Sequence, residues 1–567
     1  MADVLRVAVE TLRTLKSILS PTYGPNGIDV ALRCDSGSIL VTNSGYCIID
    51  SLSMAHPIGV LICEQVKRHV GITGDGSKEM IILLSVLLEN ISNSTYLSTN
   101  FSKLTAINSA VASACAQLNN SMKEKILGDL ERHSFEHHLD DDLHIKERTE
   151  KFYISCRHVL KTTLNGKFSP SVVDLLVEKS IELISHNKKH QTDFSKHVNN
   201  LIDNFQDICV TADGIDIANT RVISGFVIKQ YPIEKPPNIV LGVQRRFVLM
   251  KDIFDTNNIQ FGKISIEFNR INSDSFLKSR LSVFHRAFDA LDSKGVNLIL
   301  CSCKIPDYIQ SFCKKKFSVL QCMQDEEITR ISNYFRILPI GSTEEILYED
   351  FSSKIGVLSH ADELVIGTER YSWLCPDNSY KDLDEVPCQL ILCSSHPAIG
   401  KQYYSAVLRM LKVLKMCFYD EYGTHQIEHK SIFKYIPGAG FSEAYIARCL
   451  QYEAKHASDE SMEIVCKSLS SACLEILRLL NKNAYHPQRR FIEIENEILN
   501  TTQEVSFGID GNNGKDSSPH QTDIIEPFSS KILLLSHVLQ VAQQILRIEQ
   551  IVPSRNPINI KPKTSME

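Results

Sequence analysis

The sequence predicts a multi-domain chain in which a mostly helical domain is assembled from both ends and an α/β module is inserted between them. Three observations carry this. The chain has 567 residues, too many for one ordinary core. Apolar residues recur at helical spacing near both ends. From about residue 207 the pattern turns β-rich and then alternates strand with helix, the layout of a separate α/β module over about 216–360. The order along the chain is helical, mixed, β-rich, mixed, helical.

Taken in order, residues 4–19 form a helix, with Leu5, Val7, Val9, Leu12, Leu15 and Leu19 recurring on one face. Gly24-Pro25-Asn26-Gly27 makes a turn, because Pro and Gly together interrupt regular structure. "SILVTNSGYCIID" has two β-rich runs around Asn43-Ser44-Gly45 and reads as a hairpin. Helices follow over 57–70, 77–92 and 101–124, with Gly74-Asp75-Gly76 as the loop between the first two. That loop feeds a helix whose free N–H groups suit a phosphate. In the segment 130–148, His133, His137 and His138 share a helical face. Without an apolar scaffold to fix ligands it is read as a solvated loop or exposed helix rather than a metal cluster.

Helical patterns cover 150–187, and the strand-rich "DICVTADGIDIANTRVISGFVIKQ" begins at 207. A long amphipathic stretch spans 274–293, where Phe276, Leu277, Leu281, Phe284 and Phe288 recur as a core face. The lysines of "CKKKFSVL" read as a solvated helix C-terminus. "CQLILCSSHP" is a strand, a helix follows over 400–418, and the chain is then helical to about 483 apart from the turn in "IPGAGFSEA". A turn-rich excursion, "SFGIDGNNG", precedes the last helix at 527–550, and the Pro- and Lys-containing tail is expected to be disordered.

Composition excludes several classes. Hydrophobic residues make up 43% and charged residues 23%, the balance of a globular chain. A net charge of −6 is not the basic balance of a nucleic-acid binder, so no nucleic-acid partner is expected. The 17 scattered cysteines, without paired CxxC motifs, read as buried or half-buried thiols of a reducing compartment rather than zinc ligands. The apolar run at 80–88 is too short to span a bilayer, and the N-terminus carries no signal-peptide pattern. A soluble cytoplasmic protein without a transmembrane segment is expected.

Five segments, in order, resemble the group II chaperonin family, the TRiC/CCT-like superfamily with the GroEL-like fold. "SPTYGPNGIDVAL" is similar to the L-G-P-K-G-M-D loop, and "ILVTNSGYCIIDSLSMAHPIGVLI" to the T-N-D-G segment and its His-Pro helix. "GITGDGSKEMIILLSVLL" resembles the G-D-G-T-T-T loop, "YIPGAGFSEAYIARCL" the G-G-G-A-x-E turn, and "FGIDGNNG" with the last helix the C-terminal nucleotide-contacting region. Within it, "HPIGVLICEQVKRHVGITGDGSKEMIILLSVLLENI" and "IPDYIQSFCKKKFSVLQCMQDEEITRIS" most resemble the divergent branch of chaperonin-like proteins linked to Bardet-Biedl syndrome.

The resemblance implies a mostly helical equatorial domain from 1–150 and 401–553, a mixed α/β intermediate domain from 151–215 and 361–400, an apical α/β domain over 216–360, and a tail at 554–567. It implies ATP and Mg2+ as ligands. Gly24, Pro25, Gly27, Gly74, Asp75, Gly76, Ser77, Gly438, Gly440 and Asp510 match the nucleotide-binding positions, with Asp75 as the metal-side carboxylate. Lys78 either pairs with a phosphate or points outward, and Glu79 brings a negative charge to the phosphates if it faces inward. Ala439 replaces a middle glycine.

Two carboxylates of the family pattern are absent. Ser44 stands in the T-N-D-G position, and Tyr404-Ser405 stands where an intermediate-domain helix carries His-Asp. Losing one acid–base group costs about 10²–10⁴ in rate, so no catalytic residue is assigned and efficient ATP hydrolysis is not expected. Implied partners are other chaperonin-like Bardet-Biedl proteins, TRiC/CCT subunits and BBSome subunits, at the cytoplasmic base of a cilium, the basal body or the centrosome. Two alternatives stay open: an active TRiC/CCT-type folding ATPase, with Asp50, Glu79 or Asp420 compensating, and a nucleotide-free scaffold.

Overall fold

The computed structural model describes residues 4–33, 39–95, 101–138, 145–186, 194–229, 245–251, 253, 273–377, 387–418, 432–485, 490–500, 508–512, 514, 516–517 and 523–551. The chain divides into two compact units. One comprises Met1–Glu178, His190–Ile202 and Ala406–Glu567; the other comprises Lys179–Lys189 and Asp203–Ser405. Both chain ends thus build one unit, as the order of helical and β-rich segments predicts.

The first unit is helical around one large apolar core. Helix Val4–Leu19 buries Val4, Leu5, Ala8, Val9, Leu12, Leu15 and Leu19, a stripe at three- and four-residue spacing. Helix Ser77–Thr95 lies at the centre, and Met80 to Leu84, Leu87, Leu88 and Ile91 are all buried. Helices Phe101–Glu131, Phe441–Lys455, Glu460–Asn483 and Phe528–Arg547 pack around it. Helix Pro57–Thr73 ends at Gly74 with φ 84°, and a Cβ there would lie 2.6 Å from the Arg409 carbonyl oxygen. The glycine therefore ends the helix and lets the chain around Arg409 press against the loop that opens the central helix.

Three readings of this unit are corrected. The expected hairpin around Asn43-Ser44-Gly45 is not one. Strand Ile39–Thr42 pairs backwards with Val30–Arg33, and the second apolar run is helix Gly45–Ser51. Gly45, Ile48 and Ile49 are buried at helical spacing, which outweighs the β propensity of the run. The segment containing His137 and His138 is neither loop nor helix. Strand Phe135–His138 pairs antiparallel with Ile432–Pro437, which pairs in turn with Ile525–Pro527. Phe135 stacks on Tyr435 across this pairing, and Lys434 forms ion pairs with Glu131 and Glu136. The same strand interrupts the stretch expected to be helical to about 483.

The second unit holds a six-stranded sheet in the order Phe226–Ile228, Glu369–Pro376, Ile355–Ile366, Arg245–Met250, Leu298–Cys301, Ser318–Leu320. The last three strands are parallel and joined by helices, including Ser273–Ser293 and Asp307–Lys316. Phe284 and Phe288 of the first of these helices are in the core, as its spacing predicts; the side chains of Phe276 and Leu277 lie outside the described residues. Lys316 ends the second helix in ion pairs with Asp289 and Asp292. Strand Cys388–Ser394 runs parallel to Cys209–Asp213 and antiparallel to Arg221–Ser224 in a smaller sheet.

Among the described residues the thiols are free, most of them buried, with Cys322 exposed. Among the described residues no helix is long and apolar enough to cross a membrane. The expected tail at 554–567 and residues 139–144 of the His-rich segment lie outside the described residues.

Candidate functional site

A cavity of about 210 Å³ opens within the first unit, where the Gly-Pro turn, the start of helix Gly45–Ser51, the Gly-Asp-Gly loop and the last helix meet. Of the residues singled out from the sequence, Gly24, Pro25, Ser44, Asp75, Gly76, Ser77, Lys78, Glu79, Ala439 and Gly440 line it. Gly27, Gly74, Gly438 and Asp510 are not in the lining. They hold the turns behind it: Gly27 N–H donates to Gly24 O, Gly438 N–H to Ile524 O, and Asp510 Oδ1 accepts from Asn512 N–H. Ser405 lies on helix Pro397–Met416 and belongs to the other unit.

The loop around Asp75 is organised by cations. Lys167 Nζ donates to Asp75 Oδ2 at 2.9 Å. Lys167 follows the turn Asn165-Gly166, which joins helices Ile145–Leu164 and Pro170–Ser185. Gly166 has φ 74°, and a Cβ there would lie 2.5 Å from the Pro25 carbonyl oxygen, so only glycine lets this turn close onto the Gly-Pro turn. Asn43 Nδ2 donates to Gly166 O and fixes the turn from the other side. Burial raises the Asp75 carboxyl, but the charge and hydrogen bond of Lys167, the Gly76 N–H and the Arg409 charge outweigh it, and its pKa lies below the ordinary value.

Ser44 does not simply leave a vacant carboxylate position. Arg409 Nη1 donates to Ser44 Oγ at 2.7 Å, and its guanidinium stacks over Tyr46. Lys78 Nζ donates to Thr22 O at 2.5 Å. Burial, with the Lys167 charge beside it, pushes the Lys78 ammonium down to about 7.

Glu79 turns away from this cationic group. Its Oε1 accepts from Tyr23 OH at 3.0 Å and its Oε2 from Lys531 Nζ at 3.1 Å. Lys531, on the last helix, also pairs with Glu443 and Glu526, both at 2.7 Å. Burial, opposed by Lys531 and reinforced by Glu79 and Glu443, pushes Glu526 up to about 7. Burial likewise raises Glu79, again against Lys531. Three carboxylates on one ammonium balance only when carboxyls take up protons, the direction in which burial moves Glu526 and Glu79. Beyond it, His69 Nδ1 lies 2.8 Å from His537 Nδ1, and burial together with His537 pushes His69 down to about 3.

The arrangement offers donors and positive charge beside one half-exposed carboxylate, which suits a phosphate. The groups singled out from the sequence as able to act on water are engaged, lie outside the lining or lie outside the described residues. Ser44 Oγ is occupied by Arg409, Glu79 is held by Tyr23 and Lys531, and Asp50 pairs with Lys67 outside the cavity lining. Asp420 lies outside the described residues.

The model of the TCP-1/cpn60 chaperonin family matches residues 15–556, almost the whole chain. The chain belongs to the TCP-1/cpn60 chaperonin family. This chaperonin is 21% identical over 559 residues to thermosome subunit beta of Aeropyrum pernix, covering 97% of this chain and 91% of that protein. It is 22% identical to thermosome subunit alpha of Halobacterium salinarum, covering 96% and 86%. It is 23% identical over 448 residues to the BBSome complex assembly protein BBS10 of Homo sapiens, covering 74% of this chain and 58% of that protein. The matches bear out the family, and BBSome complex assembly proteins BBS10 are among the relatives, at 22–23% identity over 58% of their length.

Chaperonins of this family generally bind ATP with Mg2+. The donors around Asp75 do not suit that ion. Mg2+ is usually held by one or two carboxylates together with substrate phosphates. Here the Asp75 carboxylate is paired with Lys167, and the second carboxylate position is a serine bound by arginine. Among the described residues there is no group of three His, Cys, Asp or Glu side chains placed to hold a metal.

Sequence reasoning missed Lys167, Arg409 and the Tyr23, Glu443, Glu526 and Lys531 cluster. The one local signal for Lys167 is its place after an Asn-Gly turn between two helices. Arg409, Glu443, Glu526 and Lys531 sit on helix or strand faces whose spacing says only that they are near a core, and Tyr23 directly precedes the Gly-Pro turn.

Proposed function

We propose that this chaperonin is an assembly factor that binds the phosphates of a nucleotide in the cavity of its first unit without turning them over efficiently. The observation that carries this is the pairing of a cation-lined phosphate loop with the loss of both water-side carboxylates at Ser44 and Ser405. Nucleotide then serves as a structural or regulatory ligand, held by the N–H groups of the Gly-Asp-Gly loop, Ser77, Lys78 and Lys167. The assembly role rests on the likeness to the BBSome complex assembly protein BBS10. On this reading the chain works with other chaperonin-like Bardet-Biedl proteins and TRiC/CCT subunits on BBSome subunits at the cytoplasmic base of the cilium. The division into equatorial, intermediate and apical domains at the boundaries given above is part of the same reading.

Two measurements on one tagged protein test it. Thermal unfolding is expected to shift upward with ATP or ADP, by about 2.7 kcal/mol of added stability at 100 times the dissociation constant. Co-purification from ciliated cells is expected to recover chaperonin and BBSome subunits. A melt unmoved by millimolar nucleotide would favour the scaffold reading, and recovery of neither class of subunit would overturn the assembly role.

A further inference from the structure

The geometry points to a metal-free phosphate site, in which the Lys167 ammonium stands on Asp75 where a divalent cation would, and the ligand is the uncomplexed polyphosphate of a nucleotide. This rests on the reading that the cavity binds nucleotide and specifies the form in which it does so.

Four features converge. The Lys167–Asp75 pair is direct, at 2.9 Å, and is built rather than incidental: Gly166 closes onto Pro25 and buried Asn43 bonds the Gly166 carbonyl. An ammonium carries three N–H donors. With one on Asp75, the same group can reach a phosphate oxygen and so bridge carboxylate to phosphate, as a metal does. Ser44 and Arg409 replace a carboxylate with a neutral hydroxyl backed by a guanidinium, which turns this wall from cation-seeking to anion-seeking. Lys78 lies in the same wall, near both Asp75 and Lys167. A doubly charged ion beside Asp75 would have to displace Lys167 and then sit beside the Lys167 ammonium and the Arg409 guanidinium, whereas a free polyphosphate gains from both and favours the charged form of Lys78.

The other side of the same cavity offers a contrast. The Glu79, Glu443 and Glu526 carboxylates converge on Lys531, and Tyr23 closes the group. Three carboxylates share one ammonium, so burial moves Glu526 and Glu79 toward their protonated forms, and among the described residues no such group is placed to hold a metal.

Calorimetric titration of ATP into the whole protein tests this in two buffers, one with excess Mg2+ and one with EDTA. Wild-type protein is expected to bind in EDTA at least as tightly as in Mg2+, since the metal competes for the ligand. Lys167→Met is expected to lose about tenfold in EDTA, the size of one charged hydrogen bond, and to become Mg2+-dependent as Asp75 is released. Lys167→Arg retains the charge and is expected to retain metal-independent binding, which separates the role of the cation from damage to the fold. Wild-type binding seen only with Mg2+ would overturn this inference and leave the nucleotide reading standing. No binding in either buffer would overturn both.

Discussion

At the scale of single residues, the chemistry of this cavity is set by where long side chains turn. Lys78 and Glu79 are adjacent, yet one reaches the Thr22 carbonyl and the other joins Tyr23 and Lys531. The sequence shows that a lysine and a glutamate replace hydroxyls in the loop. It does not show which way each points, because that depends on partners 56 and 452 residues away. Lys167 illustrates the same limit, since its function depends on Asp75, 92 residues distant.

Ala439 is different, because its departure from glycine has a readable cost. It adopts φ 58° between Gly438 and Gly440, a left-handed conformation that costs an L-residue about 1–2 kcal/mol. Ala439→Gly relieves that strain, and the looser unfolded chain returns about 0.4–1 kcal/mol. The net expectation is a gain of about 0.5–1 kcal/mol, read from urea unfolding; a variant less stable than wild type would show that the alanine methyl contributes packing instead.

At the scale of elements, long periodic helices were legible and short strands were not. Helices Val4–Leu19, Pro57–Thr73, Ser77–Thr95, Ser273–Ser293 and Phe528–Arg547 fall where apolar spacing predicts them. Gly45–Ser51 was misread because "GYCIID" is rich in β-favouring residues while its burial follows three- and four-residue steps. Strands Phe135–His138 and Ile432–Pro437 were missed because each is stabilised by the other across about 300 residues of chain. Polar and charged residues on such strands resemble loop until their partner is known. The turns, by contrast, were legible, since Gly-Pro-Asn-Gly and Gly-Asp-Gly require particular backbone conformations whatever they pack against.

At the scale of the whole molecule, the order of helical and β-rich segments sufficed to join the two chain ends into one unit. The buried titrating groups of that unit predict how its stability follows pH. His69 is held near 3, below its ordinary value, so the unfolded chain binds the extra proton as the medium is acidified. Its contribution is present above pH 6.5 and is lost as pH falls toward 3. Glu526, raised to about 7, acts in the opposite sense: its contribution is present below its ordinary value and is lost as pH rises toward 7. The two oppose each other at mildly acidic pH, so His69 must be isolated by substitution. Between pH 4 and 6, the stability of wild type minus that of His69→Gln is expected to grow by about 1.4 kcal/mol per unit of rising pH. Denaturant titrations at three pH values check this, and a difference independent of pH would mean that His69 is not held neutral.

On the proposed function, this chaperonin keeps a phosphate-binding loop and has lost the means to use water on it. Steady-state release of inorganic phosphate from saturating ATP, with Asp75→Ala in parallel, tests that claim most directly. The account predicts release by the wild type at the background level and no further loss in the variant. Sustained turnover by the wild type that disappears with Asp75→Ala would contradict it.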